Sequence, residues 1–132
     1  MKKIDPNAFY HETNEWVRKD NDSYTIGITD FAQTVFGNVI SVEFPEVGKI
    51  IKKNELLVTI ESDKVSTEIF SPLSGKVVSI NSDLGNTPEL LNSSPYEKGW
   101  LVKIELINAD EMNDLMSSVD YQDFMSVFYN KI

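Results

Sequence analysis

Cysteine is absent from this 132-residue chain, and histidine occurs once, at His11. The first absence removes a disulfide framework, a thiolate zinc site and a cysteine nucleophile. The second leaves no His–His metal pair and no Ser-His-Asp arrangement that can be proposed convincingly. His11 itself, in a polar N-terminal stretch, reads as ordinary surface. Cations are scarce as well: 12 Lys and Arg stand against 21 Asp and Glu, a net charge of -9. A field of that sign repels a phosphate backbone, so nucleic acid is not an expected partner. No apolar run approaches the roughly 18 residues a membrane span requires. Lys2 and Lys3 are followed by Ile4-Asp5-Pro6-Asn7 rather than by the apolar segment of a leader, so the chain is expected to be retained inside the cell or to be a mature form whose leader is not shown. Missing too are a Gly-x-Ser-x-Gly elbow, a phosphate-binding glycine loop and a His-Glu-x-x-His pair. Paired carboxylates remain, such as Asp63 with Glu61 or Glu68, but a glycosidase pair needs a larger cleft than a chain of this size builds.

What is present suits one small β-rich domain, able to bury roughly 65–70% of the surface its unfolded chain exposes. Trp16-Val17-Arg18-Lys19 and Tyr24-Thr25-Ile26-Gly27-Ile28, separated by Asp20-Asn21-Asp22, predict a hairpin. Asp30 followed by Gln33 reads as a capping pattern opening a helix of about two turns, with Gly37 as its stop. Five short strands follow: Val39 to Phe44, Ile50 to Lys52, Leu56 to Glu61, Thr67 to Phe70 and Lys76 to Ile80, with Gly48, Pro72 and Gly75 at the breaks. A sixth is expected over Trp100 to Leu106. After it, Asn108 and Glu111 read as caps of a helix carrying Met112, Leu115, Met116 and Val119, and Tyr121, Phe124, Met125 and Phe128 repeat the spacing as a face laid on the core.

Gly37-Asn38-Val39-Ile40-Ser41-Val42 is echoed by Gly75-Lys76-Val77-Val78-Ser79-Ile80, Val47-Gly48 by Leu84-Gly85, and Glu55-Leu56-Leu57 by Glu89-Leu90-Leu91. Chance similarity among β-rich segments and an imperfect duplication explain this equally well. A duplication implies two similar half-sheets facing each other, with Ser62-Asp63-Lys64-Val65 in an exposed turn between. A lysine at such a turn is, on physical grounds alone, a solvated charge.

The segment Glu61-Ser62-Asp63-Lys64 resembles the lipoylation site of lipoyl domains and of glycine cleavage system H proteins, with Gly48 lying 16 residues before Lys64 and Gly75 lying 11 after it. Asn14-Glu15-Trp16-Val17, Gly27 to Gln33, Val42 to Gly48 and Asn92 to Leu101 are similar to H-protein segments in the same order, and the likeness runs from about Phe9 to about Phe124. Biotinyl domains look similar but favour Met-Lys-Met, whereas Asp63 and Val65 flank the lysine here. Two departures stand out: Asn14 where the H-protein family commonly has His, and Asp63-Lys64-Val65 where it has Val-Lys-Ala, closer to the lipoyl domains of 2-oxo acid dehydrogenases.

This resemblance implies a mainly β fold, a flattened barrel or sandwich of two antiparallel sheets of the lipoyl-domain hammerhead type, with a short helix near 30–36. It implies a single lipoyl-carrier domain over 1–132, comprising an N-terminal hairpin at 15–28, a lipoyl core at 38–106 and C-terminal helices at 109–129. Lipoate is expected in amide linkage on Lys64. Glu61 and Glu68 are expected to be read by the lipoylating enzyme, a lipoate ligase or a lipoyl/octanoyl transferase. Thr13, Glu15 and Glu68 are expected to line a cleft for the loaded arm. The chain is then a carrier and not an enzyme, with no metal. It shuttles an aminomethyl group from the pyridoxal-phosphate glycine decarboxylase (P protein) to the tetrahydrofolate-dependent aminomethyltransferase (T protein), and dihydrolipoyl dehydrogenase (L protein) reoxidises it. A monomer is expected, in the cytoplasm if bacterial and in the mitochondrial matrix if a eukaryotic mature form. The alternatives are a lipoyl donor or a carrier for a 2-oxo acid dehydrogenase, and an unmodified small β-protein with no carrier role.

Overall fold

The computed structural model describes residues 3–128. In chain order the strands are β1 (Phe9–Tyr10), β2 (Glu15–Asp20), β3 (Ser23–Ile28), β4 (Val39–Glu43), β5 (Ile50–Ile51), β6 (Leu56–Ser62), β7 (Ser66–Phe70), β8 (Gly75–Ile80) and β9 (Val102–Leu106). The helices are α1 (Asp30–Phe36), α2 (Asp83–Asn86), α3 (Leu90–Ser93) and α4 (Ser118–Phe128), with a 3-10 turn at Ala109–Asp114. Two antiparallel sheets form, one of six strands in the order β1-β2-β3-β9-β8-β5 and one of three in the order β4-β6-β7, rather than a closed barrel. Among the described residues no helix is long and apolar enough to cross a membrane.

Alternation along the strands fills the space between the sheets. Val17, Ile26, Ile28, Ile60, Val77 and Ile104 are all at or near zero exposure and belong to one apolar cluster. Burying side chains of this size stabilises the fold by roughly 1.5–3 kcal/mol each before entropy is counted. The six-stranded sheet is covered on its other side as well. Trp16 points away from Val17, into a second cluster with Tyr10, Tyr96, Tyr121 and Met125. Its indole fits because Gly27 lies directly across the ladder: a Cβ there would sit 2.5 Å from the ring. The indole N–H donates to the Pro95 carbonyl at 3.0 Å.

The expected hairpin forms, with Glu15 opposite Ile28 and Asp20 opposite Ser23, closed by Asn21 at φ +56. Asn tolerates that left-handed conformation better than most residues. The cap of α1 is one residue earlier than expected. Thr29 accepts from the Ala32 amide at 3.2 Å, while Asp30 is the first helical residue, where its charge faces the positive end of the helix.

Beyond β8 the internal echo fails. Leu84 and Leu90-Leu91 lie on two short helices, and Gly85 is helical where its counterpart Gly48 has φ +98, so the echo with Val47-Gly48 and Glu55-Leu56-Leu57 does not extend to structure. The echoed β4 and β8 do lie in different sheets. The single helix expected after Asn108 is two pieces. Asn108 caps as expected, but the Glu111 carboxylate accepts from the Ser74 amide and hydroxyl at 2.6 and 2.8 Å. Met116 then exchanges two 2.8 Å backbone hydrogen bonds with Tyr10, and this holds the chain extended before α4 begins. Val119 consequently lies outside the core at 66% exposure, as does Phe128 at 69%, while Tyr121 and Met125 are buried. Residue 129 of the expected 109–129 helical stretch lies outside the described residues.

Candidate functional site

Lys64 is exposed at the end of the β6–β7 hairpin. The turn is held by its own backbone and by one hydroxyl. The Ser62 amide donates to the Val65 carbonyl at 2.9 Å, and Ser62 Oγ accepts from the amides of Lys64 and Val65 at 3.2 and 3.1 Å. Serine side chains are favoured in turns for this reason. A second set of bonds ties the turn to the start of β4. The Asp63 amide donates to the Asn38 carbonyl at 2.9 Å, and its carboxylate accepts from the Asn38 amide at 3.1 Å and side-chain nitrogen at 3.3 Å. Gly37, at φ +85, makes this approach possible: a Cβ on it would lie 2.8 Å from Asp63 Oδ1 and 3.2–3.3 Å from the Lys64 stem. Among the described residues no ion pair engages the Lys64 ammonium.

Glu61 and Glu68 are exposed on the outer face of the three-stranded sheet. The register places Glu61 between Ser41 and Ser66, and Thr59 between Glu43 and Glu68, so three carboxylates share one uncovered face beside the lysine turn.

Thr13 and Glu15 come together, and His11 joins them. Thr13 Oγ1 donates to Glu15 Oε1 at 2.5 Å and lies 2.7 Å from His11 Nδ1. His11 is therefore a half-buried member of a polar cluster rather than ordinary surface. Burial pushes the Glu15 carboxyl up to about 7 against the Thr13 hydrogen bond, and burial likewise lowers His11. The loop carrying these groups turns at Asn14, φ +73, whose side-chain oxygen accepts from the hydroxyls of Tyr121 and Thr29. Besides burial, the charges of Glu12, Lys53 and Asp114 act on the His11 ring. No hydrogen bond or ion pair joins Glu68 to Thr13 or Glu15 among the described residues.

Asn38, Gly37 and His11 were not anticipated as parts of a site. Gly37 and Asn38 are 25 or more residues from the turn they touch and carry no local signal of it. The alternate spacing of His11, Thr13 and Glu15 in the sequence is the only hint of the third. A groove of about 1370 Å³ lined by Ile4, Arg18, Tyr96, Trp100 and Lys103 contains none of the site residues named above. Among the described residues no three His, Asp or Glu converge as metal ligands.

The family model described as Glycine cleavage H-protein matches residues 8–128. The chain belongs to this family. A glycine cleavage system H protein of Bacillus licheniformis is 45% identical over 116 residues, 88% of this chain and 91% of that protein. One from Halalkalibacterium halodurans is 43% identical over 126 residues, 96% of this chain and 98% of that one. The crystal structure of a glycine cleavage system H protein from Mycobacterium marinum superposes with a TM-score of 0.81, covering 91% of this chain and 97% of that chain. At 24% identity that likeness carries the fold, the same pair of unequal antiparallel sheets, and nothing more. The carrier-type fold expected of an H-protein family member is therefore the fold observed.

Proposed function

We propose that Lys64 carries lipoate in amide linkage and that the chain is the lipoyl shuttle of a glycine cleavage system. The observation that supports this best is an exposed lysine, free of ion pairs among the described residues, at the tip of a turn clamped from two sides, in a chain of the H-protein family. Such a lysine fits the group: its Nζ is open to an acylating enzyme, while the hairpin behind it is fixed. When attached, lipoate supplies a disulfide that takes up the aminomethyl unit and a dithiol that is later reoxidised.

The remaining work falls to this chain's residues. Lys64 loses its ammonium charge on acylation and becomes a pivot. Glu61 and Glu68 offer charge to the lipoylating enzyme from the strands either side of it. Thr13 and Glu15 offer the cationic amine of a loaded arm an exposed hydroxyl and the buried carboxyl bonded to it, a charge-assisted pairing. Glu68 stands midway along β7, on the exposed face of the hairpin that carries Lys64. The partners on this reading are the P, T and L proteins and a lipoate ligase or lipoyl/octanoyl transferase. The absence of cysteine suits the role, because no internal thiol can trap the arm as a mixed disulfide.

Co-expression with a lipoate ligase and lipoate, followed by intact mass, should show one added lipoyl group that Lys64→Ala abolishes. An unchanged mass, with a ligase control that works, ends the proposal. Asp63-Lys64, the pair that departs from the family pattern, favours a second reading as donor or carrier for a 2-oxo acid dehydrogenase. Glycine–bicarbonate exchange with the cognate decarboxylase separates the two, since a carrier serving other clients supports little of it.

A further inference from the structure

Beyond the strand ladder, the turn that presents Lys64 is tied to the start of β4 by one residue, Asp63, through its amide and its carboxylate, and that residue stands where this sequence departs from its family pattern. We propose that Asp63 is a positioning residue: a latch onto Asn38 that keeps the lysine turn in the one geometry an acylating enzyme can engage. The inference rests on Lys64 being the attachment point.

Three bonds make the latch, and they run in both directions. The Asp63 amide donates to the Asn38 carbonyl, while the carboxylate receives the Asn38 amide and side-chain N–H. Asn38 is itself rigidly placed, between Gly37, whose amide closes α1 on the Gln33 carbonyl, and Val39, whose amide donates to the Asn92 side chain at 2.9 Å. The Asn92 amide in turn reaches the Gly37 carbonyl at 2.7 Å and Gln33 Oε1 at 3.0 Å. The turn is thus anchored through Asn38 to the end of α1 and to α3, not only to its own hairpin.

The alternative anchors are weak. Ser62 braces the turn internally and pairs outside it only with Val39 at the start of β4, and Val65 is exposed. Past the Ser62–Val39 pair the tip has no ladder partner outside its own hairpin, and exposed hairpin ends fray. Without the carboxylate, only the Asp63 amide's bond to the Asn38 carbonyl is left of the three, and the turn samples other arrangements. An enzyme that binds only the latched form then meets a smaller competent fraction, and its apparent affinity falls by that fraction while the chemical step is untouched. The latch acts through geometry and not through charge, which makes it separable from Glu61 and Glu68 on the strands.

The test compares the full chain with Asp63→Ala and Asp63→Asn as substrates for a lipoate–protein ligase supplied with lipoate and ATP. Protein concentration is varied to separate KM from kcat. The Asn variant removes the negative charge but keeps a carbonyl oxygen able to accept from the Asn38 amide. For Asp63→Ala, KM is expected to rise on the order of three- to tenfold with kcat within about twofold. Hydrogen exchange at the amides of Asp63 and Lys64 should quicken in parallel. Asp63→Asn should stay near the unmodified sequence in both. Unchanged KM and exchange in Asp63→Ala overturn the latch. An Asn variant as impaired as the Ala variant overturns it too, because it shows a charge being read. A Lys64→Arg control that still gains the lipoyl mass defeats the attachment reading first and takes this inference with it, whereas loss of the mass in that control isolates the Asp63 result.

Discussion

Replacing Glu15 by Gln should make the protein more stable at pH 8 and leave it little changed near pH 5. Glu15 is 4% exposed, and its carboxyl is pushed up to about 7 from 4.5, chiefly by burial. Unfolded, it ionises near its ordinary value. Between roughly pH 4.5 and 7 the folded state therefore binds more protons than the unfolded one, and this group lowers stability progressively as pH rises through that window. A shift of this size corresponds to about 3 kcal/mol once the carboxyl is fully ionised, at 1.36 kcal/mol per unit. Gln keeps the shape and an oxygen for the Thr13 hydroxyl but never takes the charge. The gain at pH 8 should then approach that figure, a rise in Tm on the order of 10 °C for a chain this long. Urea melts of both proteins at half-unit steps from pH 4.5 to 8.5 read the difference directly. His11, which burial lowers, acts in the opposite sense, weakening the fold as pH falls, so a loss of stability with rising pH is the signature of Glu15. A difference that stays flat with pH would refute the reasoning, since it would mean that Glu15 ionises equally readily folded and unfolded.

Two further outcomes follow from packing. Gly27→Ala drives a methyl to within 2.5 Å of the Trp16 ring and should cost about 1–3 kcal/mol, read as a lower urea midpoint with an unchanged slope. Tyr121→Phe removes the hydroxyl that α4 donates to Asn14 and should cost about 1–3 kcal/mol; near-neutrality would show that Thr29 alone satisfies the Asn14 oxygen.

Much of this architecture is legible without coordinates because β-strands advertise themselves locally. Alternation along 16–19, 24–28, 56–61 and 76–80, broken by Gly, Pro and Asn-Asp clusters, specifies hairpins by their own turn chemistry. The observed strands agree with these segments to within a residue or two. The exposed lysine turn was legible in the same way, because Ser62 to Val65 closes on itself. Three features were not. The split after Asn108 depends on Glu111 reaching Ser74 and on Met116 pairing with Tyr10, partners 37 and 106 residues away. The half-burial of His11 and the proton affinity of Glu15 depend on what covers a loop that looks polar and solvated when read as a string. The bond between Asp63 and Asn38 depends on a helix ending at Gly37 just where the hairpin tip arrives. Periodicity, turn propensity and charge are properties of neighbours along the chain, so the residues alone determined strands and turns, and the resemblance to lipoylation sites singled out the lysine. Desolvation and long-range hydrogen bonds arise only when distant segments meet, so the folded chain alone decided how that lysine is held and where a carboxylate is kept from water.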